Sequence, residues 1–339
     1  MNNIVVYLEI DKQARIADVS FELLSKGKEL SMQLGCQLEA VAIGSALEGI
    51  AEKVMPYGVD LLHIFDEACL VPYTTLTHSK LLVALLKEIC PNSVLMGATA
   101  VGRDLAPRVA AMLQTGLTAH CSDLRIADYT DNNGKTYKAV LEQIRPAFGD
   151  KAMTTIVCPE RRPQMATVSA GVMKPVIFDA NYKGEVIRHD AFKWLTDADM
   201  VVTILSQTTK AATNHLKEAN VVVAGGYGVG SKKNFELLKE LAVLLHGEVG
   251  ATRAATDAGW IEEDCMIGQT GLTVRPNLYI ACGISGQAQH VSGMQESGIV
   301  VSINTDSDAP MNKIADYVIV GKIEDILPKM INCLKQKNA

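Results

Sequence analysis

Two glycine-rich turns in the second half of the chain hold the residues best suited to chemistry. The first is Gly225-Gly226-Tyr227-Gly228-Val229-Gly230, between an apolar strand and a helix. Glycines there let the backbone turn tightly and approach a pyrophosphate, whose charge a helix N-terminus favours. The spacing is G-x-G-x-x-S, short of a full G-x-G-x-x-G. The second turn is Gly283-Ile284-Ser285-Gly286-Gln287-Ala288-Gln289-His290. Its free N–H groups and the Ser285 hydroxyl suit another phosphate contact. Two phosphate-type loops on one sheet imply a dinucleotide. Gly268-Gln269-Thr270-Gly271 adds amide and hydroxyl groups for the edge of a heteroaromatic ring, and Asn304, closing a strand, suits an adenosine edge. A nicotinamide dinucleotide would want an acid at the tip of the second strand. That strand ends in Gly250-Ala251-Thr252-Arg253, with arginine where the acid should stand.

The elements that must position these groups follow from hydrophobic periodicity. Strands are expected at Val221–Ala224, Glu248–Ala251, Leu278–Cys282, Ile299–Asn304 and Tyr317–Val320, with helices at Asn234–Leu245, Gln287–Glu296 and Glu324–Leu334. Such alternation predicts a doubly wound parallel sheet, with ligands in the loops that leave the carboxyl ends of its strands. The first half alternates likewise. Strands are expected at Asn3–Ile10, Gln37–Ile43, Asp60–Ile64 and Ser93–Gly97, with helical patterns at Val19–Leu34 and Thr74–Ile89 and another helix from near Gly102. Extended segments follow at Leu117–Tyr129 and Thr136–Gln143, joined by a tight turn at Asp131-Asn132-Asn133-Gly134. Asn181 to about Met200 is polar, without a strand or helix pattern, and a domain boundary is placed there. The expected fold class is therefore α/β, with two doubly wound, mainly parallel-sheet domains. Residues 1–200 form the nucleotide-binding-like first domain and residues 201–339 the cofactor-binding second.

A chain of 339 residues has room for two domains with sizeable cores. With 38 acidic and 32 basic residues, a net charge of −6 and no basic patch, it is a poor partner for nucleic acid. No apolar run reaches the ~18 residues of a membrane span. The start, Met1-Asn2-Asn3, lacks the features of a secretory signal, so the mature chain is expected to begin at Met1. Eight scattered cysteines without a C-x-x-C pair fit reduced thiols in a cytoplasm rather than a metal site or a disulfide framework.

Taken in order, Gly250-Ala251-Thr252-Arg253-Ala254-Ala255, Asp257-Ala258-Gly259-Trp260, Gly268-Gln269-Thr270-Gly271, and Leu278 through Gly286 to Gln289-His290 closely resemble the FAD domain of electron-transfer flavoprotein α subunits. Gly102-Arg103-Asp104-Leu105-Ala106-Pro107-Arg108 and the βα alternation extend the resemblance to the first half. The resemblance implies FAD bound by Thr252, Arg253, Ile267, Gly268, Gln269, Thr270, Gly283, Ser285, Gly286, Gln287, Ala288, Gln289 and His290, with Asn304, Lys322 and Ile323 near the adenosine. Arg253 would lie against the flavin, Gln269 and Thr270 near N5, and His290 near the pyrimidine carbonyl. A fixed guanidinium or a protonated imidazole there would raise the flavin potential. Tyr227 departs from the arginine of mitochondrial members.

The resemblance further implies a heterodimer with a β subunit that holds AMP or a second FAD. By the same resemblance, such a carrier would accept electrons from flavin dehydrogenases such as acyl-CoA dehydrogenases. In an alternative branch, NADH is oxidised and its electrons are split toward ferredoxin or flavodoxin. Arg145 could reach a flavin of the partner subunit or form a structural ion pair. A stand-alone nicotinamide-dependent dehydrogenase is the rival from another class, and a first domain with its own small nucleotide ligand is a third possibility. Plainer roles stand beside these: Arg253 paired with Asp257, His290 as a structural histidine, Thr270 and Ser285 as turn and cap residues, and Cys121 and Cys282 as small buried hydrophobes. Arg103, Asp104 and Arg108 are read as orienting a helix or a subunit contact.

Overall fold

The computed structural model describes residues 3–146, 153–206, 208 and 215–338, so the expected start at Met1 lies outside the described residues. The chain divides into two compact units, Met1–Gln207 and Thr208–Ala339.

The first unit contains strands β1 (Ile4–Leu8), β2 (Leu38–Gly44), β3 (Leu61–Asp66), β4 (Ser93–Gly97), β5 (Leu117–Cys121), β6 (Asp123–Thr130), β7 (Thr136–Pro146), β8 (Met153–Ile156), β9 (Gln164–Val168) and β10 (Glu185–His189). Its helices are α1 (Asp18–Leu34), α2 (Ile50–Val54), α3 (Thr75–Ile89) and α4 (Ala100–Leu113). Seven strands form a parallel sheet in the order β10-β3-β2-β1-β4-β9-β5. Side chains alternate across a strand, so β1 feeds two cores. Ile4, Val6 and Leu8 pack with Leu23, Leu24 and Leu30 of α1, whereas Val5 and Tyr7 pack with Leu81 and Leu85 of α3 and Leu105 of α4. Strands β6, β7 and β8 make a separate antiparallel sheet. Its first hairpin turns where expected: the Asp131 carboxylate accepts from the N–H groups of Asn133 and Lys135, and Gly134 takes φ +82°.

One part of the sequence reading is corrected here. The polar stretch after Asn181 contains β10, which pairs in parallel with β3 from Glu185↔Leu61 to His189↔Phe65. An edge strand has one neighbour and one solvated side, so it lacks the continuous apolar run that marks a central strand.

The second unit contains β11 (Val221–Gly225), β12 (Glu248–Ala251), β13 (Leu278–Cys282), β14 (Ile299–Asn304) and β15 (Tyr317–Val320), with α5 (Lys232–Leu244), α6 (Arg253–Asp257), α7 (Ala288–Val291) and α8 (Ile323–Asn338). The sheet is parallel in the order β12-β11-β13-β14-β15. Val223, Ile280 and Cys282 face Phe235, Leu238 and Leu241 of α5 and Leu327 of α8. The opposite face buries Val222, Ala224, Tyr279 and Ala281 against Met294 and Met311. The helix expected over residues 287–296 is only the four residues of α7. Gly293 lies just beyond it, where a Cβ would stand 2.5 Å from the backbone nitrogen of Gly268. The chain continues as hydrogen-bonded turns, with Gln295 N–H donating to the Val291 carbonyl at 2.9 Å, and packs closely against the Gly268 backbone. Among the described residues, no helix is long and apolar enough to cross a membrane.

Candidate functional site

In the second unit the strand order, counted along the chain, is 2-1-3-4-5, so the winding direction reverses between β11 and β13. Loops leaving the carboxyl ends of two such strands part in opposite directions and open a crevice. Both glycine-rich turns follow these strands, and they interlock. The Gly226 N–H donates to the Cys282 carbonyl at 2.9 Å and the Gly228 N–H to the Gly283 carbonyl at 3.0 Å. A Cβ on Gly226 would stand 2.3 Å from the Gly283 carbonyl oxygen, so this approach requires glycine. The rim is tied further by Thr252 N–H to Gly225 O at 3.0 Å, Gln269 N–H to Gln289 O at 2.7 Å and Met311 N–H to Ser285 O at 3.0 Å.

These loops enclose a cavity of about 490 Å³, within the range of small-molecule and cofactor sites. Of the residues expected from sequence, Thr252, Arg253, Ile267, Gly268, Gln269, Thr270, Gly283, Ser285, Gly286, Gln287, Gln289, His290 and Asn304 line it. Three do not. Ala288 is exposed on α7, and Lys322 is exposed just before α8. Ile323 is 4% exposed and packs in the core with Val223, Phe235 and Leu327. Its apolar side chain explains the difference, because the first turn of α8 must seal that face of the sheet. Ile323→Ala is expected to lower unfolding stability by about 2–4 kcal/mol, read from a urea midpoint, and to leave the cavity lining intact. Sequence reasoning missed Ala254, Met266, Ile284, Asp306 and Ala309 on the wall. They are small or apolar, apart from Asp306, and form no pattern that marks a ligand contact.

Thr252 gives the most direct indication of a ligand. Its Oγ1 is buried with no hydrogen-bond partner, an arrangement that natural interiors rarely leave unpaired. Among the described residues, Arg253 is the only lysine or arginine on the wall. Its Nε lies 3.4 Å from Asp257 Oδ2 one helical turn on, with side-chain exposures of 73% and 66%. The ion pair and the place at the cavity therefore coexist. Asn304 serves the scaffold: its Nδ2 donates to the Ile284 carbonyl at 2.9 Å, and its Oδ1 accepts from the Asp306 N–H at 3.1 Å. Tyr227 occupies the rim with its ring stacked on Trp260 at 5.2 Å and 19°, and Trp260 leans on Phe235 at 6.1 Å. An aromatic column thus replaces the cation expected from mitochondrial relatives.

His290 lines the wall as a neutral ring. It is 7% exposed, its Nδ1 is 2.9 Å from the Ile267 carbonyl and its Nε2 is 2.8 Å from the Tyr279 hydroxyl. Burial pushes its pKa down to about 4. The protonated imidazole entertained from sequence is therefore not what the structure holds near neutral pH.

Glycine turns whose backbone admits a pyrophosphate, one cation, an unpaired hydroxyl and a largely apolar lining together fit a flavin dinucleotide. They do not fit the nicotinamide alternative, whose ribose-binding acid is replaced by Thr252 and Arg253 at the tip of β12. In the first unit, the matching crevice between β1 and β4 holds Glu9, which accepts a hydrogen bond from the Thr99 hydroxyl. Burial raises the Glu9 carboxyl above the usual carboxylate range. A phosphate there would meet an acid rather than a cation. Arg145 lies half-buried on β7, without an ion pair among the described residues. Burial holds the nearby His120 below its ordinary pKa, with the Arg103 and Arg145 charges adding to the effect.

Residues 4–193 match the electron transfer flavoprotein domain, and residues 215–295 match the electron transfer flavoprotein FAD-binding domain. The chain is 45% identical over 327 residues to the electron transfer flavoprotein subunit alpha of Thermoanaerobacterium thermosaccharolyticum, covering 96% of each. It is also 45% identical to protein FixB of Clostridium saccharobutylicum, over 96% of this chain and 94% of that one. A third relative, the acryloyl-CoA reductase electron transfer subunit beta of Anaerotignum propionicum, is 38% identical over 97% of this chain and 95% of its own length. One matched domain falls in each unit, and the relatives span nearly the whole chain: this protein belongs to the electron transfer flavoprotein family, as an α subunit.

Proposed function

We propose that the chain holds FAD in the cavity between the β11 and β13 loops. As one half of a heterodimer with the family's β subunit, it passes electrons from flavin dehydrogenases such as acyl-CoA dehydrogenases to an acceptor. The unpaired, buried Thr252 hydroxyl at the carboxyl end of β12 is the observation that carries this reading. Bound FAD supplies the redox chemistry, and the protein supplies placement and electrostatics. The turn after β13 leaves the N–H groups of Ser285, Gly286 and Gln287 without a backbone partner among the described residues, which suits a pyrophosphate, while the turn after β11 uses its own to hold the two loops together. Thr252 offers a hydrogen bond from a site shielded from water. Arg253 places a fixed positive charge at the wall and favours a cofactor that gains negative charge.

A second reading has the β subunit hold AMP or a further FAD. With FAD there, NADH supplies electrons that are split between ferredoxin or flavodoxin and this chain's flavin. Arg145 favours it, because a half-buried guanidinium with no ion pair among the described residues is available to a partner's cofactor. The deciding measurement is the visible spectrum and FAD content of the co-expressed heterodimer before and after NADH. One FAD unreduced by NADH is the expected result for a simple carrier, and two with reduction for the second reading. No bound flavin would overturn both.

A further inference from the structure

Tyr279 and His290 form a buried pair whose two ends can be assigned. Tyr279 lies on β13 with 0% exposure, and its hydroxyl is 2.8 Å from His290 Nε2. The other ring nitrogen, Nδ1, is 2.9 Å from the Ile267 carbonyl oxygen. A carbonyl can only accept, so Nδ1 carries a hydrogen. In the neutral ring Nε2 is then a lone pair, and the Tyr279 hydroxyl is its donor.

Adding a proton to Nε2 would reverse that bond. The ring would donate to the Tyr279 oxygen, and the phenol hydrogen would need another acceptor inside the core. Tyr279 has no second hydrogen-bond partner among the described residues. A buried donor left unpaired is costly, so the pair resists the proton. The other titratable groups near this wall are Cys282 on β13 and, at the cavity, Arg253 and Asp306. Burial lifts the Cys282 thiol to about 12, which leaves it uncharged.

We propose that Tyr279 is a positioning residue of the cofactor site: by occupying the Nε2 lone pair it keeps His290 neutral and leaves Arg253 as the sole fixed cation of the cavity wall. The proposal rests on the cavity being the FAD site. It assigns His290 a dipole rather than a charge, so the potential of the bound flavin answers to Arg253 and not to protonation of the imidazole.

The test uses the heterodimer with histidine labelled by ¹⁵N, the His290 signals being assigned by their loss in His290→Gln. Ring-nitrogen shifts are followed from pH 8 to 5, and the flavin potential is read at pH 6 and 8 for wild type and Tyr279→Phe. The wild-type ring is expected to keep one protonated and one acceptor nitrogen across this range. In Tyr279→Phe, no phenol hydrogen is stranded by protonation. The ring's midpoint should rise by about two pH units, so that the ring is about half protonated at pH 6, where the potential should exceed that of wild type while matching it at pH 8. A wild-type ring doubly protonated at pH 7, or a variant with midpoint and potential unchanged, overturns the proposal. If the variant fails to fold, the wild-type spectrum alone decides. Absence of FAD from the wild-type heterodimer would overturn the cavity reading and this proposal together, whereas FAD retained with a cationic His290 would overturn this proposal alone.

Discussion

Gly286→Val is expected to yield a chain that no longer retains FAD through gel filtration and unfolds at lower urea than wild type. Gly286 has φ +90°, a conformation that L side chains rarely adopt, and a Cβ there would stand 2.3 Å from the backbone nitrogen of Met311. Met311 cannot yield cheaply. It is 0% exposed in the core, and its N–H donates to the Ser285 carbonyl at 3.0 Å. Backbone strain and overpacking together should cost about 2–5 kcal/mol, and relief comes only by moving the turn that forms the cavity rim. From sequence alone the glycine is explained by room for a pyrophosphate; the structure adds that it is needed before any ligand arrives. Gly230→Ala is the control, since Gly230 has φ +81° but no atom within 4 Å of its Cβ position. It should cost about 1–2 kcal/mol and keep the flavin. Full FAD retention by Gly286→Val would remove that turn from the cofactor site.

Arg253→Ala should lower the one-electron potential of the bound flavin by on the order of 60 mV, a tenfold change in the equilibrium. Its exposed ion pair with Asp257 contributes little to stability, so the urea midpoint should hardly move. That separation gives the experiment its force, because a general loosening of the fold would shift both quantities. Arg253→Lys keeps the charge but loses the planar fork, and should recover part of the potential. An unchanged potential in Arg253→Ala would show that the guanidinium does not act on the ring.

The second unit was the more legible half. All five strands fall where the apolar runs place them, with β11 one residue longer, at Gly225. Fully buried parallel strands are near-continuous in Val, Ile, Leu and Ala, and the glycines after β11 and β13 mark the turns. Most of the cavity lining was legible for the same reason: it is written on loops of fixed spacing. Ile323 and Lys322 were not separable from it, since a position beside the adenosine and one sealing the sheet look alike without depth information. Tyr279 escaped notice because a tyrosine in a buried strand reads as core until its hydroxyl is seen to reach His290. In the first unit, β9 was missed although all five of its residues are buried. Gln-Met-Ala-Thr-Val begins and nearly ends with polar residues. They pair internally: Gln164 Nε2 donates to Asn92 Oδ1 at 2.8 Å, and the Thr167 hydroxyl accepts from the His120 N–H at 3.1 Å.

The late insertion of β10 bears on how the protein is made. Strands β1 to β4 leave the ribosome early, but the outer edge of β3 is covered only by Glu185–His189. At ~5–20 residues per second, the interval between Asp66 and His189 is about 6 to 25 s of synthesis. Throughout that time the nascent sheet presents an open row of backbone donors and acceptors to any other extended chain. The second unit has shorter gaps, with each central strand joined by the next one or two to emerge. The first unit therefore spends longer than the second with the edge of a central strand unpaired, and the FAD domain emerges only after the last strand of the first sheet has been added.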